Sequence, residues 1–442
     1  MISANDLFEE LSAIPMLDAH THINADCITA RGLDDILLYH MVISDLYAAG
    51  CPDGSRLPDN PTEEMRLTRL EKAIPYIPLI KNTSCYWGVK LILNDLYGWS
   101  EDITLSNWRK LDDIIKERST DNSRARDIMH KCGVKRIVTE LWRGYDGIAD
   151  DIFQYSLEWA FFTRSQWGQY DTALLELEHA WNQDVPGAPL PVTANRENMN
   201  FTKTINTLDD VTAAITHYCT KIPYEHILYM ASHLSTDIKY RLVTPDEMEK
   251  ALKNRSYAGS DERDIYANYI HNTFLAELTK MEKKLVLAYS LGAEPLPFET
   301  GAKLRTESIF EIGSVFARNS DLQVTLLNAA HHQEQAVNTL VRELPNVSVS
   351  GFWWHNFFPR YIRDTLSARL DMVPVNKIVG FFSDAYCMDW VYAKAFIVRK
   401  QMAEVLAQKI AQGQYNKDIA LDIVKHVVYK TPQDYLGMKP KN

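Results

Sequence analysis

The sequence has no excess of positive charge and no long hydrophobic run. Its 442 residues include 47 lysines and arginines against 58 aspartates and glutamates, which gives a net charge of −11. Nucleic acids and anionic membrane surfaces attract basic proteins, so we expect neither as a partner. A membrane-spanning helix needs about 18 or more apolar residues in a row, and no segment of the sequence supplies them.

Cysteine is scarce, and its spacing shows no C-x-x-C motif. Scattered cysteines in a long chain predict reduced thiols rather than a disulfide framework. The first ten residues are acidic and lack the basic and apolar regions of a signal peptide. Together these features predict a cytoplasmic protein. The six cysteines are Cys27, Cys51, Cys85, Cys132, Cys219 and Cys387.

Instead, the chain has a series of short, β-prone apolar runs separated by helix-like segments. Near-continuous apolar strands that alternate with helices indicate a parallel sheet covered on both faces. Eight such runs predict an α/β fold with a (β/α)8 barrel, and an open doubly wound sheet is the alternative. The predicted strands are Met16–His22, Lys135–Glu140, Thr172–Leu177, His226–His233, Leu285–Ser290, Gln323–Asn328, Val347–Phe352 and Lys377–Asp384.

The first two predicted strands are separated by far more residues than a strand crossover needs. This stretch is mostly helix-like, as in Leu33–Tyr47 and Trp108–Cys132. Loops that follow barrel strands form the rim of the active site, so a helical insertion here is expected to cover it. The predicted divisions are a barrel from residues 1–29 and 131–390, the insertion from 30–130, and C-terminal helices packed on the barrel from 391–442.

Two histidines at the end of the first predicted strand suggest half of a metal site. In Asp18-Ala19-His20-Thr21-His22, the alternating imidazoles of His20 and His22 point to one side of an extended strand. Asp384 ends the eighth predicted strand, which lies beside the first in a closed barrel. Two imidazoles and a carboxylate suit Zn²⁺, Mn²⁺ or Fe²⁺. In the alternative interpretation, His20 is a core residue, His22 a surface residue and Asp384 a helix N-cap.

The residues of this site also resemble known sequence motifs. Asp18 to His22 resembles the first-strand motif of the amidohydrolase superfamily. Tyr39-His40, the tract from Gly351 to Pro359 and Ser383-Asp384-Ala385 resemble the uronate isomerase family, of which this chain would be a divergent member. The resemblance implies a distorted barrel with one divalent metal, Zn²⁺ being the first expectation. It also implies isomerisation of an aldose acid to a ketose acid by proton transfer between C2 and C1.

The resemblance assigns roles to individual residues. It implies that His20, His22 and Asp384 bind the metal and that His40 acts in catalysis. We predict that Asp384 or a group on the insertion moves the carbon-bound proton and that His40 polarises the carbonyl or shuttles protons. Tyr386 is a third candidate for the catalytic group. The residues predicted to bind substrate are Trp353, Trp354, Asn356, His233 and Arg143.

At several positions the chain departs from the family pattern. Met41 follows the insertion histidine where the family has tyrosine, and Tyr386 stands where the family has an arginine that suits a carboxylate. Glu176 and Glu178 follow the third predicted strand, where the family tends to place another arginine. Binding of a uronate would then depend on compensating cations. The candidates for that role are Arg143, Lys303, Arg305 and Arg360.

These departures leave more than one function open. The first hypothesis is a metal-dependent sugar isomerase whose partner is a small sugar or sugar acid. The second is a metal-dependent hydrolase of the same superfamily that acts on a small neutral substrate. The third is a barrel without enzymatic activity. One histidine of His331-His332 is a further candidate ligand, and association into a homo-oligomer is left open.

Overall fold

The computed structural model describes residues 3–52, 62–144, 151–159, 170–183, 190, 198–292, 304–353 and 356–440. Within these residues, eight strands form one sheet in which each strand pairs in parallel with the next along the chain. The strands are β1 (Met16–Thr21), β2 (Val134–Glu140), β3 (Phe153–Glu158), β4 (Ile227–His233), β5 (Val286–Leu291), β6 (Val324–Asn328), β7 (Val347–Ser350) and β8 (Ile378–Val379).

The segment that follows β8 closes the sheet against β1. The backbone N–H of Ala19 donates to Phe381 O at 3.3 Å, and that of Asp384 donates to His20 O at 3.0 Å. The N–H of His22 donates to Ala385 O at 2.8 Å. These bonds join the first and last parts of the barrel, and they confirm the predicted (β/α)8 fold.

The third predicted strand is wrong. Thr172–Leu177 belongs to a helix, Thr172–Trp181, and the third strand of the barrel is instead Phe153–Glu158. The sequence TALLEL consists largely of alanine, leucine and glutamate, which are among the strongest helix formers. The true strand, FQYSLE, carries the aromatic residues typical of strands. The length of an apolar run alone did not distinguish this helix from a strand.

The eighth strand is shorter than predicted because the backbone N–H of Gly380 bonds outside the sheet. The N–H of Gly380 donates to Val427 O at 2.6 Å, outside the sheet. A Cβ at Gly380 would lie 3.0 Å from that carbonyl oxygen, so the close approach requires glycine. Residues 380–387 then run along β1 as a non-helical segment that ends at the next helix.

Helices precede, separate and follow the strands. The helices up to the second strand are α1 (Ala4–Ser12), α2 (Leu33–Leu37), α3 (His40–Ala48), α4 (Glu63–Ala73), α5 (Ile77–Ile80), α6 (Ser84–Tyr97), α7 (Trp108–Ser119) and α8 (Arg124–Cys132). Those that follow are α9 (Leu141–Gly144), α10 (Thr172–Trp181), α11 (Leu208–Lys221), α12 (Pro245–Lys253), α13 (Ser260–Lys280), α14 (Ser308–Arg318), α15 (Glu334–Glu343), α16 (Pro359–Met372), α17 (Met388–Ala411), α18 (Lys417–Lys425) and α19 (Thr431–Leu436). None of the helices described here has the length and apolar character to traverse a bilayer.

The first turn of α17 anchors the helices that lie between β1 and β2. Asp389 is fully buried, and its carboxylate accepts hydrogen bonds from Ala30 N and from the Tyr97 hydroxyl, each at 2.8 Å. Arg124 on α8 lies 3.5 Å from the same carboxylate. The predicted division between residues 390 and 391 falls inside α17. The division into barrel, insertion and C-terminal helices stays a prediction.

Candidate metal centre

The structure brings His20, His22 and Asp384 together at the seam of the barrel. His22 Nε2 lies 3.1 Å from Asp384 Oδ1, and His20 Nε2 lies 3.8 Å from the same oxygen. The rings of the two histidines stand nearly perpendicular, with centroids 4.8 Å apart. Although more than 360 residues separate Asp384 from the two histidines in sequence, the three side chains lie close together, as the topology of a closed barrel predicts.

Glu140 joins this cluster, and the sequence analysis did not single it out. It ends β2, and its Oε1 lies 3.0 Å from His22 Nδ1. His22 therefore contacts one carboxylate through each ring nitrogen. One ligand atom from each of His20, His22 and Glu140 can be chosen so that all three lie within 4.8 Å of one another. The sequence signal that could have identified Glu140 is its position as an acidic residue at the carboxyl end of β2, the strand next to β1.

The side chains of His20, His22 and Asp384 are chemically suited to hold a divalent metal. Two ligand atoms at about 2.1 Å from one ion are roughly 3.0–3.4 Å apart. Asp384 Oδ1 lies 3.1 Å from His22 Nε2, within this range, and 3.8 Å from His20 Nε2, beyond it. Asp384 Oδ1 is buried, and His22 Nε2 lies at hydrogen-bond distance from it. Glu140 contacts the far nitrogen of His22, which is the usual place of a carboxylate that orients a metal-binding histidine.

The electrostatics of the cluster favour a cation between the two carboxylates. Burial lowers the pKa of His20 to about 4, which keeps this imidazole neutral and able to bind a metal. Burial opposes a charge on His22 as well, but Glu140 and Asp384 raise its pKa well above the usual value. Burial likewise opposes ionisation of Asp384, yet His22 and Lys394 hold its pKa below the usual range. Both carboxylates therefore stabilise positive charge at this position.

Two residues of the barrel interior fix the strand that carries His20. Asp18 is fully buried, and its Oδ1 accepts a hydrogen bond from Ser383 N at 2.8 Å. Burial raises the pKa of Asp18 to about 7. The Tyr229 hydroxyl donates to Ala19 O at 2.6 Å and lies 3.4 Å from His20 Nδ1. These contacts tie β1 to β4 and to the segment after β8, so both sides of the cluster are held.

His40 and Tyr386, the other predicted catalytic residues, lie beside the cluster. The Tyr386 ring is 5.2 Å from the His22 ring and 5.3 Å from the His40 ring, centroid to centroid. His40 begins α3, so the segment between β1 and β2 contacts Tyr386, the neighbour of His22, through this residue. Their catalytic roles stay predictions.

Arg143 is the predicted substrate-binding cation that the structure places at the cluster. Its Nε contacts Glu140 Oε2, and its Nη1 donates to Asn24 Oδ1 at 3.1 Å. The guanidinium also lies 4.2 Å from the ring centroid of Trp142. Arg143 therefore balances the charge of Glu140 and stands at the side of the centre where β2 ends.

Two other predicted substrate-binding residues, His233 and Trp353, lie against each other at the barrel mouth. His233 ends β4, and its Nε2 is 3.8 Å from Glu158 Oε1 at the end of β3. The Trp353 ring lies against His233 with a centroid distance of 5.4 Å. These three side chains form a second group at the mouth, beside the metal cluster. Their contact with a substrate stays a prediction.

Asn356 faces the backbone near the metal centre. It is 2% exposed, and its Nδ2 donates to Ser383 O at 3.1 Å, the carbonyl that precedes Asp384. This contact positions the segment after β8, and a role in substrate binding stays a prediction. Trp354, the fifth predicted substrate-binding residue, lies outside the described residues.

The acids expected to replace an arginine after the third strand are not at a strand end. Because the third strand was misplaced, Glu176 and Glu178 lie on α10 instead. Glu178 forms a buried ion pair with Arg255, whose Nη1 lies 2.6 Å from Glu178 Oε1. The residues that follow the true third strand, 160–169, lie outside the described residues. The argument that acids occupy this position is therefore wrong.

Other candidate cations and ligands contact residues of α14 and α16. Arg305 lies 2.6 Å from Glu311, and Arg360 lies 2.6 Å from Asp364. Lys303 lies outside the described residues. His331 Nδ1 is 3.3 Å from the Thr365 hydroxyl on α16, and its ring packs on Tyr361.

Comparison with known proteins identifies the architecture. No family model matches the chain, and no curated protein sequence matches it. Among solved structures, a uronate isomerase of Thermotoga maritima is 15% identical with a TM-score of 0.72, over 98% of this chain and 97% of that one. A glucuronate isomerase of Caulobacter crescentus is 13% identical with a TM-score of 0.76, over 99% of this chain and 94% of that one.

The chain has the fold of the uronate isomerases. The similarity extends over nearly the whole of both chains, so it includes the helices between β1 and β2 as well as the barrel. A protein of Lactobacillus casei described as a metal-dependent hydrolase is also similar, at 11% identity and a TM-score of 0.56 over 98% of this chain and 97% of that one. A protein described by a different chemistry thus has a structure similar to that of this chain, so the function of the chain must be argued from its site.

Proposed function

We propose that this protein is a metal-dependent aldose–ketose isomerase that acts on an open-chain sugar acid, as uronate isomerases do. The observation that carries the proposal is the proximity of His20, His22 and Asp384. The uronate isomerase fold of the chain supports the same reaction. We propose Zn²⁺ as the ion, with Mn²⁺ or Fe²⁺ as alternatives, since two imidazoles and one carboxylate suit all three.

The metal, when bound, would polarise a substrate oxygen and stabilise negative charge that develops during proton transfer. Asp384 would take the proton from one carbon of the sugar and return it to the next. His40 would donate a hydrogen bond to, or exchange a proton with, a substrate oxygen. Tyr386, between His22 and His40, would orient the sugar through its hydroxyl.

Arg143 is our candidate for binding the carboxylate of the substrate. It lies at the mouth beside the metal cluster, although Glu140 already contacts its guanidinium. A guanidinium has five donors, so a contact with Glu140 and Asn24 leaves others for a second anion. We propose Trp353 and His233 as the opposite wall of the sugar site.

The direct test is turnover by protein loaded separately with Zn²⁺, Mn²⁺ and Fe²⁺. D-Glucuronate and D-galacturonate are incubated with each form in D₂O, and proton NMR follows the C2 hydrogen and the ketose product. We expect loss of the C2 hydrogen signal together with ketose formation. If both sugar acids are inert while a neutral aldose reacts, the sugar-acid specificity is wrong. If no aldose reacts with any metal form, isomerisation is wrong.

A second candidate is hydrolysis of a small neutral substrate at the same centre. The observation that favours it is Tyr386, a neutral residue beside His22 where the uronate isomerase motif has arginine. Asp384 would then accept a proton from the attacking water. Hydrolysis in H₂¹⁸O would place the label in the product acid, whereas isomerisation forms no new acid.

Four further proposals concern the protein as a whole. We propose that the segment 30–130 covers the active site, because the Tyr39 hydroxyl donates to Asp384 O and the His40 ring lies against Tyr386. A role in carbohydrate metabolism follows from the proposed reaction. A cytoplasmic location is supported by the cysteines, which are all free and buried. Homo-oligomer formation remains a proposal that sedimentation analysis would test.

A further inference from the structure

A lysine from the C-terminal helix α17 lies directly behind the metal centre. Lys394 is 1% exposed, although lysine is almost never buried without partners. Its ammonium group lies 4.3 Å from the ring centroid of Phe357 and 4.9 Å from that of Tyr39. The aromatic faces favour a cation there, but they do not satisfy its hydrogen bonds.

Three oxygen atoms satisfy the ammonium group of Lys394. Its Nζ donates to Ser383 O at 2.5 Å and to Asp384 O at 3.4 Å, and it lies 2.9 Å from the Tyr39 hydroxyl. That hydroxyl in turn donates to Asp384 O at 2.7 Å. An ammonium has three donors, which matches these three acceptors. Lys394 and Tyr39 therefore hold the carbonyl oxygens of both Ser383 and Asp384.

The segment held in this way has an unusual backbone conformation. Asp384 has a φ of +55°, and it is the one non-glycine residue with positive φ that the structure describes. Left-handed backbone at such a residue persists only when surrounding contacts impose it. Here Lys394 and Tyr39 fix the carbonyl oxygens, and Asp18 accepts the N–H of Ser383. The carboxylate of Asp384 then points to His22 from the opposite side.

We propose that Lys394, together with Tyr39, is a positioning residue for the metal-binding carboxylate of Asp384. The pair holds the left-handed backbone at this residue and so sets its Oδ1 opposite the two imidazoles. The inference rests on the proposed metal centre but not on the identity of the substrate. It gives α17 a role in metal affinity, although this helix contributes no ligand.

The test compares two lysines of the same helix. Lys409 also lies on α17, is 3% exposed, and pairs with Asp371 at 2.6 Å, away from the metal centre. Lys394→Met and Lys409→Met each remove a buried ammonium from this helix. The affinity of the full-length protein for Zn²⁺ is measured by competition with a chromophoric chelator, and Co²⁺ absorption reports the geometry of the bound ion.

We expect Lys394→Met to weaken metal binding by about 10- to 100-fold, as loss of contacts behind a ligand commonly does. We expect its Co²⁺ spectrum to differ from that of the natural protein. Lys409→Met should lower the melting temperature but leave metal affinity and the Co²⁺ spectrum unchanged. If Lys394→Met binds both metals as tightly as the natural protein and with the same spectrum, the proposal is wrong.

A second variant decides the question if Lys394→Met does not fold. Tyr39→Phe removes the hydroxyl that donates to Asp384 O and keeps the ring, so we expect a smaller loss of Zn²⁺ affinity, of several-fold. Natural affinity in Tyr39→Phe would then overturn the proposal. Metal binding and sugar turnover by the natural protein distinguish failure of the proposed function from failure of the Lys394 inference. If it binds metal but isomerises no sugar, the proposed function fails and the Lys394 inference stands.

Discussion

Two clusters of buried charge show how the same kinds of residue can serve different purposes. The first is the metal centre, with His22 between Glu140 and Asp384. The second joins α10 to the turn Arg255–Tyr257. There, Glu178 Oε1 accepts from Arg255 Nη1 at 2.6 Å and from Ile205 N at 2.7 Å, and its Oε2 accepts from Arg255 Nη2 at 2.9 Å.

The clusters differ in the atoms that they bring together. In the second cluster, the guanidinium and the carboxylate are matched by each other and by the backbone. In the first, Asp384 Oδ1 is shared between two imidazoles, at 3.1 Å from His22 and 3.8 Å from His20. Buried polar groups cost free energy unless they are paired. The second cluster is a complete ion pair that stabilises the fold, whereas the first gathers imidazole nitrogens and a carboxylate oxygen, which are the donor atoms that suit a divalent ion.

The largest expected effect is at the first cluster. His22→Ala removes one proposed ligand and the group that joins Glu140 to Asp384, so we expect loss of metal retention and of activity. Elemental analysis of the purified variant should show no bound metal, while circular dichroism shows a folded protein. A His22→Ala variant that keeps both metal and full activity would contradict the assignment of the centre.

The second cluster should respond in the opposite way. Arg255→Met leaves Glu178 as a buried carboxylate without its cation, which typically costs about 3–5 kcal/mol of unfolding free energy. Urea denaturation of the natural protein and the variant measures this loss. Metal content should stay unchanged, since the pair does not contact the metal centre. Loss of metal with little loss of stability would break the distinction between the two clusters.

Glu140 tests whether a carboxylate behind a ligand matters as much as the ligand. Glu140→Gln keeps the shape but removes the charge that faces His22 Nδ1, and we expect Zn²⁺ to bind about 10- to 100-fold more weakly. Chelator competition measures the affinity. Glu158→Gln, at the end of the neighbouring strand β3, is the matched control and should bind Zn²⁺ normally. Equal losses in both variants would indicate a general charge effect.

A buried histidine away from both clusters shows what burial does to the pKa of an imidazole. His271 is 1% exposed, its Nε2 lies 2.8 Å from the Tyr289 hydroxyl, and burial lowers its pKa to about 3. Below its usual pKa of about 6.5 the unfolded chain binds a proton that the folded protein does not, so unfolding becomes easier as the pH falls.

At pH 5 we expect His271 to lower the free energy of unfolding by about 2 kcal/mol, from roughly 1.4 kcal/mol for each pH unit below the usual pKa. His271→Gln does not titrate, so its stability relative to the natural protein should improve by this amount between pH 7 and pH 5. Urea denaturation of both proteins at the two pH values measures it. A difference that does not change with pH would mean that the folded protein binds a proton at His271 as readily as the unfolded chain does.

Much of the fold was predictable because buried parallel strands leave a clear signal. Seven of the eight apolar runs are strands of the barrel, with ends shifted by a few residues. The exception, Thr172–Leu177, shows the limit of run length, since helix-forming residues produced an equally apolar segment. The shortened eighth strand depends on Val427, which the chain brings to Gly380 only in the folded state.

The proposed ligands were predictable, but their surroundings were not. His20 and His22 are spaced for one strand face, and Asp384 follows the strand that closes the barrel, so topology alone brings them together. Glu140 had only its position at a strand end as a signal. Lys394 had none, because a lysine on a helix is normally exposed, and only the tertiary structure shows that it reaches the carbonyls of Ser383 and Asp384.

The smallest expected effect concerns substrate charge at the first cluster. Tyr386→Arg places a guanidinium beside His22, where the uronate isomerase motif has arginine, and we expect about tenfold tighter binding of D-glucuronate. One charge-assisted hydrogen bond to a carboxylate, discounted for solvent, accounts for this gain. Titration calorimetry with the metal-loaded protein measures it, and D-glucose, which lacks the carboxylate, should gain no affinity. Tyr386→Gln separates charge from space, because an equal gain in this neutral variant would show that removing the ring, and not adding a cation, improves binding. Unchanged affinity in Tyr386→Arg would mean that the substrate carboxylate lies elsewhere, with Arg143 as the remaining candidate at this mouth.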